Sequence, residues 1–213
     1  MYEKYIKRFI DIVIAAVLLF LFLPVFALVS YLIRKEDGGS VFYKGERIGK
    51  NGVPFKMYKF RTMVMNADKV GGSSTSDNDP RITKVGKALR KYKIDELPQL
   101  INVLKGEMSI VGPRPEVKEY VELYTEDEKR ILRVRPGMTD WASIWNPDEG
   151  NILAKYEDPD KAYMEVIRPK KLELQKKYVE ELSLSNDIRI IIKTIKILFA
   201  KLLTKGEVNS KNV

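Results

Sequence analysis

The longest apolar stretch of the chain runs from residue 12 to residue 33 (IVIAAVLLFLFLPVFALVSYLI) and contains no charged side chain. As a straight helix it would be about 33 Å long, enough to cross a hydrocarbon core of roughly 30 Å. It is too long for a cleaved signal peptide and lacks a small-residue cleavage site. Pro24 lies just past its middle, where proline removes a backbone hydrogen bond and bends a helix. The pattern therefore predicts a membrane-inserted helix that is broken at Pro24.

Basic residues flank this stretch on both sides. They are Lys4, Lys7 and Arg8 before it and Arg34 and Lys35 after it. Because positive charge is retained on the cytoplasmic side of a membrane, both ends are expected in the cytoplasm, which a re-entrant helix satisfies. A proline-kinked transmembrane helix is the alternative, since neighbouring groups can satisfy the freed carbonyl. The residues alone leave both arrangements open.

Strand and turn signals follow the apolar stretch. Residues 41–47 and 54–62 are typical of two short strands joined around Asn51-Gly52, a pair that favours a hairpin turn. Residues 71–80 (GGSSTSDNDP) have the composition of a loop or lid. The sequence therefore predicts a small β-hairpin and an exposed loop after the membrane segment.

Helical patterns dominate the rest of the chain. Residues 81–92 and 95–105 are predicted helices, and Gly106 is a natural end for the second. Residues 125–132 and 158–181 also read as helical, the latter interrupted at Pro169. The apolar stripe of the helix at 95–105 consists of Leu97, Leu100, Ile101 and Leu104.

Residues 187–203 (DIRIIIKTIKILFAKLL) are amphipathic, with Arg189, Lys193 and Lys196 on one face. A helix lying in the membrane interface is one interpretation, and a core-packing helix with a solvated lysine face is the other. The membrane segment favours the interface. The predicted fold is therefore α+β and mostly helical, with a small hairpin, a re-entrant membrane helix (1–35), a catalytic domain (36–186), and an interfacial helix with a polar tail (187–213).

Composition narrows the chemistry. The 38 Lys and Arg residues exceed the 29 Asp and Glu residues, giving a net charge of +9, and the chain has no His and no Cys. These absences exclude thiol nucleophiles, disulfides, Cys/His zinc sites and Ser-His-Asp triads. The excess of positive charge indicates an anionic binding partner, which could be nucleic acid, anionic lipid or a phosphorylated substrate. No nucleic-acid-binding signature accompanies it, so we expect no nucleic-acid partner.

Two segments in the middle of the chain could carry chemistry. Asp95-Glu96 begins a predicted helix, where its carboxylates could serve one cleft or simply cap the helix and complement its dipole. In Gly112-Pro113-Arg114-Pro115, the prolines hold Arg114 on a stiff backbone suited to gripping a phosphate, although a polyproline-type turn would look the same.

Further cations lie beside turn residues. They are Lys59, Arg61, Arg81, Arg90 and Arg135. We predict that they bind substrate phosphates, although a solvated basic surface would also explain them. Carboxylates and arginines on a membrane-bound protein suit phosphoryl transfer, in which Mg²⁺ and cations neutralise phosphate oxygens. An aspartate nucleophile can divide such a transfer into two steps through an acyl phosphate.

Four segments carry a family resemblance: KRFIDIVIA, YKFRTM, DPRITKVGKALRKYKIDELPQLINVLKGEMSIVGPRP and RVRPGMTDW. With them the chain resembles the monotopic phosphoglycosyl transferases, in their minimal catalytic form, over nearly its whole length to about residue 203. The resemblance implies transfer of a phosphosugar from a UDP-sugar to undecaprenyl phosphate, with release of UMP. It also implies a re-entrant helix broken at Pro24, on the cytoplasmic face of the bacterial inner membrane.

The resemblance also implies roles for individual residues. Asp95 is expected to be the nucleophile and a Mg²⁺ ligand, and Glu96 to assist with the metal or as acid or base. Arg90 and Arg114 are expected near the donor phosphates. Lys59 and Arg61 match the family's basic strand near the membrane.

The sequence departs from the family at three places. Leu23 stands before the break proline, where many members have serine. Asp140-Trp141 stands where many read Gly-Trp. Residues 145–150 (WNPDEG) replace a loop that carries a basic contact in other members. Two other functions fit the residues: a basic membrane anchor or scaffold, and a kinase or phosphatase acting on a lipid phosphate.

Overall fold

The computed structural model of the chain describes residues 2–67 and 78–209, with side chains through residue 200. Of the predicted loop at 71–80, residues 71–77 lie outside the described part. Helices α1 (Lys7–Leu21) and α2 (Leu23–Asp37) follow a π-helical turn at Tyr2–Ile6. The predicted break is confirmed, because the two helices meet at an angle of 60°.

The break itself lies at Phe22, whose φ of −92° and ψ of 5° interrupt the helical backbone. Pro24 falls in the first turn of α2, where a missing backbone N–H costs nothing. Within the described residues, no single helix has the length and hydropathy of a membrane span, whereas the bent pair meets both criteria together. Its geometry is that of a broken span or a re-entrant loop.

The predicted hairpin is confirmed. Strands β1 (Phe42–Ile48) and β2 (Pro54–Phe60) pair antiparallel, with Tyr43 opposite Lys59. In the turn, Asn51 and Gly52 have φ values of 58° and 78°, the left-handed backbone that this residue pair adopts readily.

Helix α3 (Lys84–Lys91) is capped by Thr83 and begins later than predicted. Helix α4 (Gln99–Lys105) ends at Gly106 as predicted, but it does not begin at Asp95. Residues Ile94–Glu96 form a separate 3₁₀ turn, because Pro98 has no N–H with which to continue a helical ladder back to Ile94.

The buried face of α4 consequently differs from the predicted stripe. Leu100 is 1 % exposed and Val103 is fully buried, whereas Leu104 is 38 % exposed. Leu100 and Val103 pack against Ala15 of α1 and Phe55 of the hairpin, so α1 belongs to the core of the domain.

A second sheet was not predicted. Strand β3 (Ser109–Val111) pairs in parallel with β4 (Gly137–Thr139). A Cβ on Gly137 would lie 2.1 Å from the backbone nitrogen of Gly112, so only glycine permits this approach. The sheet thereby fixes the start of the segment that carries Arg114.

Several short helices and two longer ones complete the domain. They are α5 (Lys118–Val121), a 3₁₀ helix at Glu128–Arg133, α6 (Trp141–Trp145), α7 (Glu149–Leu153), α8 (Pro159–Ala162), a π-helical turn at Tyr163–Ile167, α9 (Arg168–Glu180) and α10 (Leu184–Asn209). The predicted interruption at Pro169 is confirmed, because the π-helical turn ends at Ile167 and α9 begins at Arg168, with Pro169 in its first turn, where proline is tolerated.

Helix α10 confirms the predicted C-terminal helix and begins three residues earlier. Its Ile190 is fully buried against Tyr178 and Val111. Asp187 pairs with the buried Lys7 of α1 at 2.6 Å and accepts from Tyr178 Oη at 2.8 Å. The first and last long helices are thus joined by a buried ion pair.

Candidate active site

Asp95 and Glu96 lie in the 3₁₀ turn between α3 and α4, opposite two cations from different parts of the chain. Lys59, near the end of β2, donates to Glu96 Oε1 at 3.1 Å. Arg114, just after β3, donates to both carboxylate oxygens of Glu96, with Nη1 at 3.0 Å from Oε2. The structure therefore brings Lys59, Glu96 and Arg114 into one cluster.

The electrostatics of this cluster keep Glu96 ionised. Burial alone would raise the pKa of Glu96, but the charges of Arg114 and Lys59 outweigh it and hold the pKa well below its usual range. The Glu96 carboxylate in turn raises the pKa of Arg114. Burial lowers the pKa of Lys59, although Glu96 opposes that shift. Both carboxylate oxygens of Glu96 are thus occupied in binding Lys59 and Arg114.

Asp95 has a different environment from its neighbour. Its side chain is only 6 % exposed, and no donor among the described residues bonds to it, so that Oδ1 is buried without a partner. Burial raises its pKa, the charge of Lys59 opposes this, and Glu96 adds to it. The helix-cap interpretation of Asp95 is wrong, since α4 begins later and has no side-chain cap. An uncommitted buried carboxylate beside cations can act as a nucleophile or a metal ligand.

Arg90 joins this cluster from α3. Its Nε donates to Thr62 Oγ1 at 2.9 Å, and its charge lowers the pKa of Asp95. Helix α3 lies against Thr62 because residue 86 is glycine, where a Cβ would come within 2.0 Å of the Thr62 carbonyl oxygen. Lys93, which sequence analysis missed, has a left-handed backbone (φ 57°) and also lowers the pKa of Asp95.

The other predicted phosphate ligands have partners of their own. Arg81 pairs with Asp79 at 2.6 Å, and the charge of Arg90 also lowers the pKa of Asp79, so this pair lies beside the cluster. Arg61 pairs with Asp37 at the end of α2, and its hydrogen bonds lower the pKa of Asp37 to about 2.

Arg135 Nε donates to the carbonyl of Gly106 at 2.9 Å, at the C-terminal end of α4. The contacts of Arg135 and Arg61 thus secure helix ends, and the structure does not bring these two side chains into contact with Asp95 or Glu96.

The backbone of Arg114 is held by residues that sequence analysis did not assign to the site. Asp140 is fully buried and its Oδ2 accepts from the Arg114 N–H and from Gln175 Nε2, both at 3.2 Å. Gln175 Nε2 also donates to the Arg114 carbonyl at 3.3 Å. Asp140 Oδ1 accepts from the N–H and the hydroxyl of Ser143, each at 2.7 Å. The residue that departs from the family's Gly-Trp pattern therefore fixes the Arg114 peptide groups.

A second buried network follows two residues later. Lys171 Nζ lies 2.5 Å from Glu116 Oε1, and Tyr163 Oη donates to the same oxygen at 2.7 Å. Both charged side chains are 8 % exposed. This ion pair anchors the chain just beyond Pro115 and so stiffens the arginine-bearing segment from its other end.

The donor set fits a magnesium ion only with help from a substrate. In residues 2–67 and 78–209, three or more acidic side chains do not converge on one point. Mg²⁺ is commonly bound by one or two carboxylates together with substrate phosphates and water. The unpartnered Oδ1 of Asp95 supplies one such ligand, whereas both oxygens of Glu96 already bind cations. The residues present therefore fit a metal held mainly by Asp95.

Comparison with known proteins shows the family of the chain. The bacterial sugar transferase family model matches residues 2–201, and the chain belongs to this family. It is 40 % identical over 204 residues to the exopolysaccharide production protein ExoY of Rhizobium meliloti (strain 1021), covering 89 % of this chain and 83 % of ExoY.

Two larger relatives carry named activities. The chain is 41 % identical over 199 residues to UDP-glucose:undecaprenyl-phosphate glucose-1-phosphate transferase of Escherichia coli (strain K12), covering 91 % of this chain and 40 % of that protein. It is 36 % identical over 195 residues to UDP-N-acetylgalactosamine-undecaprenyl-phosphate N-acetylgalactosaminephosphotransferase of Aeromonas hydrophila, covering 90 % of this chain and 43 % of the relative. The chain is thus a homologue of phosphoglycosyl transferases.

Proposed function

We propose that this protein transfers a sugar 1-phosphate from a UDP-sugar to undecaprenyl phosphate at the cytoplasmic face of the bacterial inner membrane, releasing UMP. The observation that carries the proposal is the Asp95 carboxylate. It is buried, and its Oδ1 has no hydrogen-bond partner within residues 2–67 and 78–209, while the neighbouring Glu96 is held by Lys59 and Arg114. Relatives with named sugar-phosphate transferase activities support the substrate classes.

The first step is attack by an Asp95 carboxylate oxygen on the phosphorus that bears the sugar. An oxygen–phosphorus bond forms, the bond to the UMP oxygen breaks, and UMP leaves with the electron pair. The second step is attack by a phosphate oxygen of undecaprenyl phosphate on the same phosphorus, which displaces Asp95 and completes the diphosphate. Neither step needs an imidazole or a thiol.

The charges around Asp95 suit these two reaction steps. The cations of Lys59, Arg90, Lys93 and Arg114 outnumber the two carboxylates, so the cluster has a positive excess for a diphosphate donor. Glu96 places Arg114 and Lys59 before a substrate arrives, which lowers the cost of organising them. A Mg²⁺ ion on Asp95 would neutralise further phosphate charge.

The packing supports a re-entrant membrane helix. At the start of α1, Lys7 pairs with Asp187, and at the end of α2, Asp37 pairs with Arg61. Both ends of the bent pair are therefore bonded to the same domain, which favours an entry and an exit on one side of the membrane. Helix α10 supports an interfacial position, because one of its faces is exposed and apolar, with Ile188, Ile192, Ile195 and Phe199.

The activity is tested by measuring UMP release from a panel of UDP-sugars with undecaprenyl phosphate and Mg²⁺. We expect Asp95→Asn to abolish release and to prevent covalent labelling by a sugar-labelled donor, while membrane association is retained. Lys91→Gln, an exposed change on α3, is the control. Full turnover by Asp95→Asn would refute the nucleophile. A membrane anchor or scaffold predicts no UMP release, and a lipid kinase or phosphatase predicts turnover without a UDP-sugar.

The membrane arrangement is tested separately. The chain has no cysteine, so single cysteines placed at positions 2 and 38 report accessibility without background. We expect both to react from the cytoplasmic side with a membrane-impermeant thiol reagent. Labelling from opposite sides would establish a kinked span instead.

A further inference from the structure

A cavity of about 780 Å³ lies between the last turns of α2 and the first residues of β1. Its lining includes two cations, Arg34 from the helix and Lys44 from the strand. Ser30 and Ser40 contribute hydroxyl groups, and Tyr31, Val41 and Phe42 form the apolar part of its wall. The cavity thus combines positive charge, hydrogen-bonding groups and apolar surface at the end of the bent helix pair.

The cations of this cavity have no carboxylate partner among the described residues. The neighbouring acids are used elsewhere: Glu36 accepts from the Lys84 N–H at 2.8 Å, Asp37 pairs with Arg61, and Glu46 pairs with Lys56 at 3.0 Å. The dipole of α2 accounts for positive charge near its C-terminus at Arg34 but not for Lys44, which is on a strand. Lys44 is instead held over the Tyr58 ring at 5.0 Å from its centroid.

The cavity is separate from the proposed catalytic cluster. Lys44 follows Tyr43, whose cross-strand partner is Lys59, and neighbouring strand residues point to opposite faces. Lys59 reaches Glu96, so Lys44 points to the opposite face of the hairpin from Lys59. The lining of the cavity also contains no residue of the catalytic cluster. A phosphate in the cavity would therefore not be one that reacts at Asp95.

The helix face below the cavity suits an acyl chain. Leu28, Tyr31 and Leu32 lie three and four residues apart, on one side of α2, and are 58 %, 60 % and 38 % exposed. With α2 inserted as proposed above, this face meets lipid while Arg34 lies at the level of the headgroups.

We propose that this cavity binds an anionic phospholipid of the phosphatidylglycerol type. Its phosphate lies between Arg34 and Lys44, its glycerol headgroup meets the hydroxyl of Ser40, its ester groups lie at the level of Ser30, and an acyl chain follows the exposed face of α2. Two cations on one phosphate exclude a zwitterionic lipid as the preferred ligand, because its amine would face the same positive charge. The proposal rests on the proposed membrane insertion of α2 and not on the transferase activity.

The test is native mass spectrometry of the full chain in detergent, titrated with dioctanoyl phosphatidylglycerol. The double variant Arg34→Gln/Lys44→Gln is compared with Lys87→Gln/Lys155→Gln, which removes two exposed lysines of α3 and of the segment after α7. We expect binding to weaken roughly 10- to 30-fold in the cavity variant, since each surface cation contributes about 1 kcal/mol to anionic lipid binding. The control variant should bind as the parent protein does.

Parallel titrations identify the ligand. Dioctanoyl phosphatidylcholine and inorganic phosphate should bind weakly and equally to both variants. Equal weakening by the two double variants, or unchanged binding of the cavity variant, would overturn the proposal. A variant that loses a short polyprenyl phosphate but keeps phosphatidylglycerol would assign the cavity to the acceptor and also overturn it. UMP release is measured on the same samples, so an inactive parent protein would reject the proposed function while leaving lipid binding measurable.

Discussion

The buried carboxylate of Asp140 supports both the stability of the fold and the position of Arg114. Asp140 accepts four hydrogen bonds, from the Arg114 N–H, from Gln175, and from the N–H and hydroxyl of Ser143. Asp140→Ala removes both carboxylate oxygens and so breaks all four hydrogen bonds, which leaves the donors of Arg114 and Ser143 without this partner. We therefore expect lower stability and an Arg114 segment free to shift.

The size of the effect follows from these contacts. Loss of the cap on α6 costs about 1 kcal/mol. Leaving the other buried donors unsatisfied adds about 1 to 3 kcal/mol. The sum of about 3 kcal/mol corresponds to a fall of roughly 6 to 12 °C in Tm for a chain of this size.

Thermal unfolding in detergent at one fixed scan rate measures this change, with UMP release as the second readout. Asp158→Ala is the matched control, because the Asp158 side chain caps α8 by accepting from Lys161 N at 3.0 Å and makes no other hydrogen bond within the described part of the chain. We expect about a third of the Tm change for Asp158→Ala and full activity. If Asp140→Ala loses no more Tm than Asp158→Ala, the hydrogen-bond reasoning is wrong. If it unfolds earlier but keeps its kcat/KM, Asp140 does not position Arg114.

Three further outcomes follow from the site. Because burial raises the pKa of Asp95 in the folded protein, its ionised form costs stability as pH rises above 3.8, the ordinary value of the group. Asp95→Asn should therefore raise Tm at pH 7.5, with a difference that shrinks as the pH is lowered towards 4; no gain at pH 7.5 would contradict this. Gly86→Ala places a Cβ 2.0 Å from the Thr62 carbonyl and should cost about 3 kcal/mol or more, whereas Gly52→Ala, in open space at φ 78°, should cost about 1 to 2 kcal/mol; equal Tm values would refute the clash. Arg114→Lys keeps the charge but loses the two-pronged grip, so kcat/KM should fall about 100-fold, and parent-like kinetics would remove Arg114 from the phosphate site.

Much of the fold could be predicted because several elements are specified by residues that are close together in the sequence. The broken helix pair followed from one apolar stretch and Pro24, and the hairpin from Asn51-Gly52. The parallel pairing of β3 with β4 could not be predicted, because it depends on two glycines far apart in sequence that meet only in the folded chain. The late start of α4 was missed because the apolar spacing outweighed Pro98 in the interpretation.

The candidate site could likewise be predicted only in part. The two carboxylates were recognised from one dipeptide, and their different environments depend on Lys59 and Arg114, which come from separate segments. Asp140 looked only like a departure from a family pattern, because its role depends on a backbone amide 26 residues away. Short-range sequence patterns can identify reactive groups, whereas the contacts that distinguish two neighbouring carboxylates arise from the tertiary fold.

The ion pair between Lys7 and Asp187 has a consequence for the order in which the chain inserts and folds during synthesis at the ribosome. Its two residues are separated by 180 positions. With the membrane insertion proposed above, α1 enters the bilayer early in synthesis, but Lys7 cannot pair with Asp187 until the beginning of α10 has emerged. Until then Lys7 has no carboxylate partner, and burying an unpaired lysine against the domain is unfavourable. Insertion is therefore expected to precede docking, and a nascent chain stopped before residue 187 should remain membrane-bound yet open to proteases.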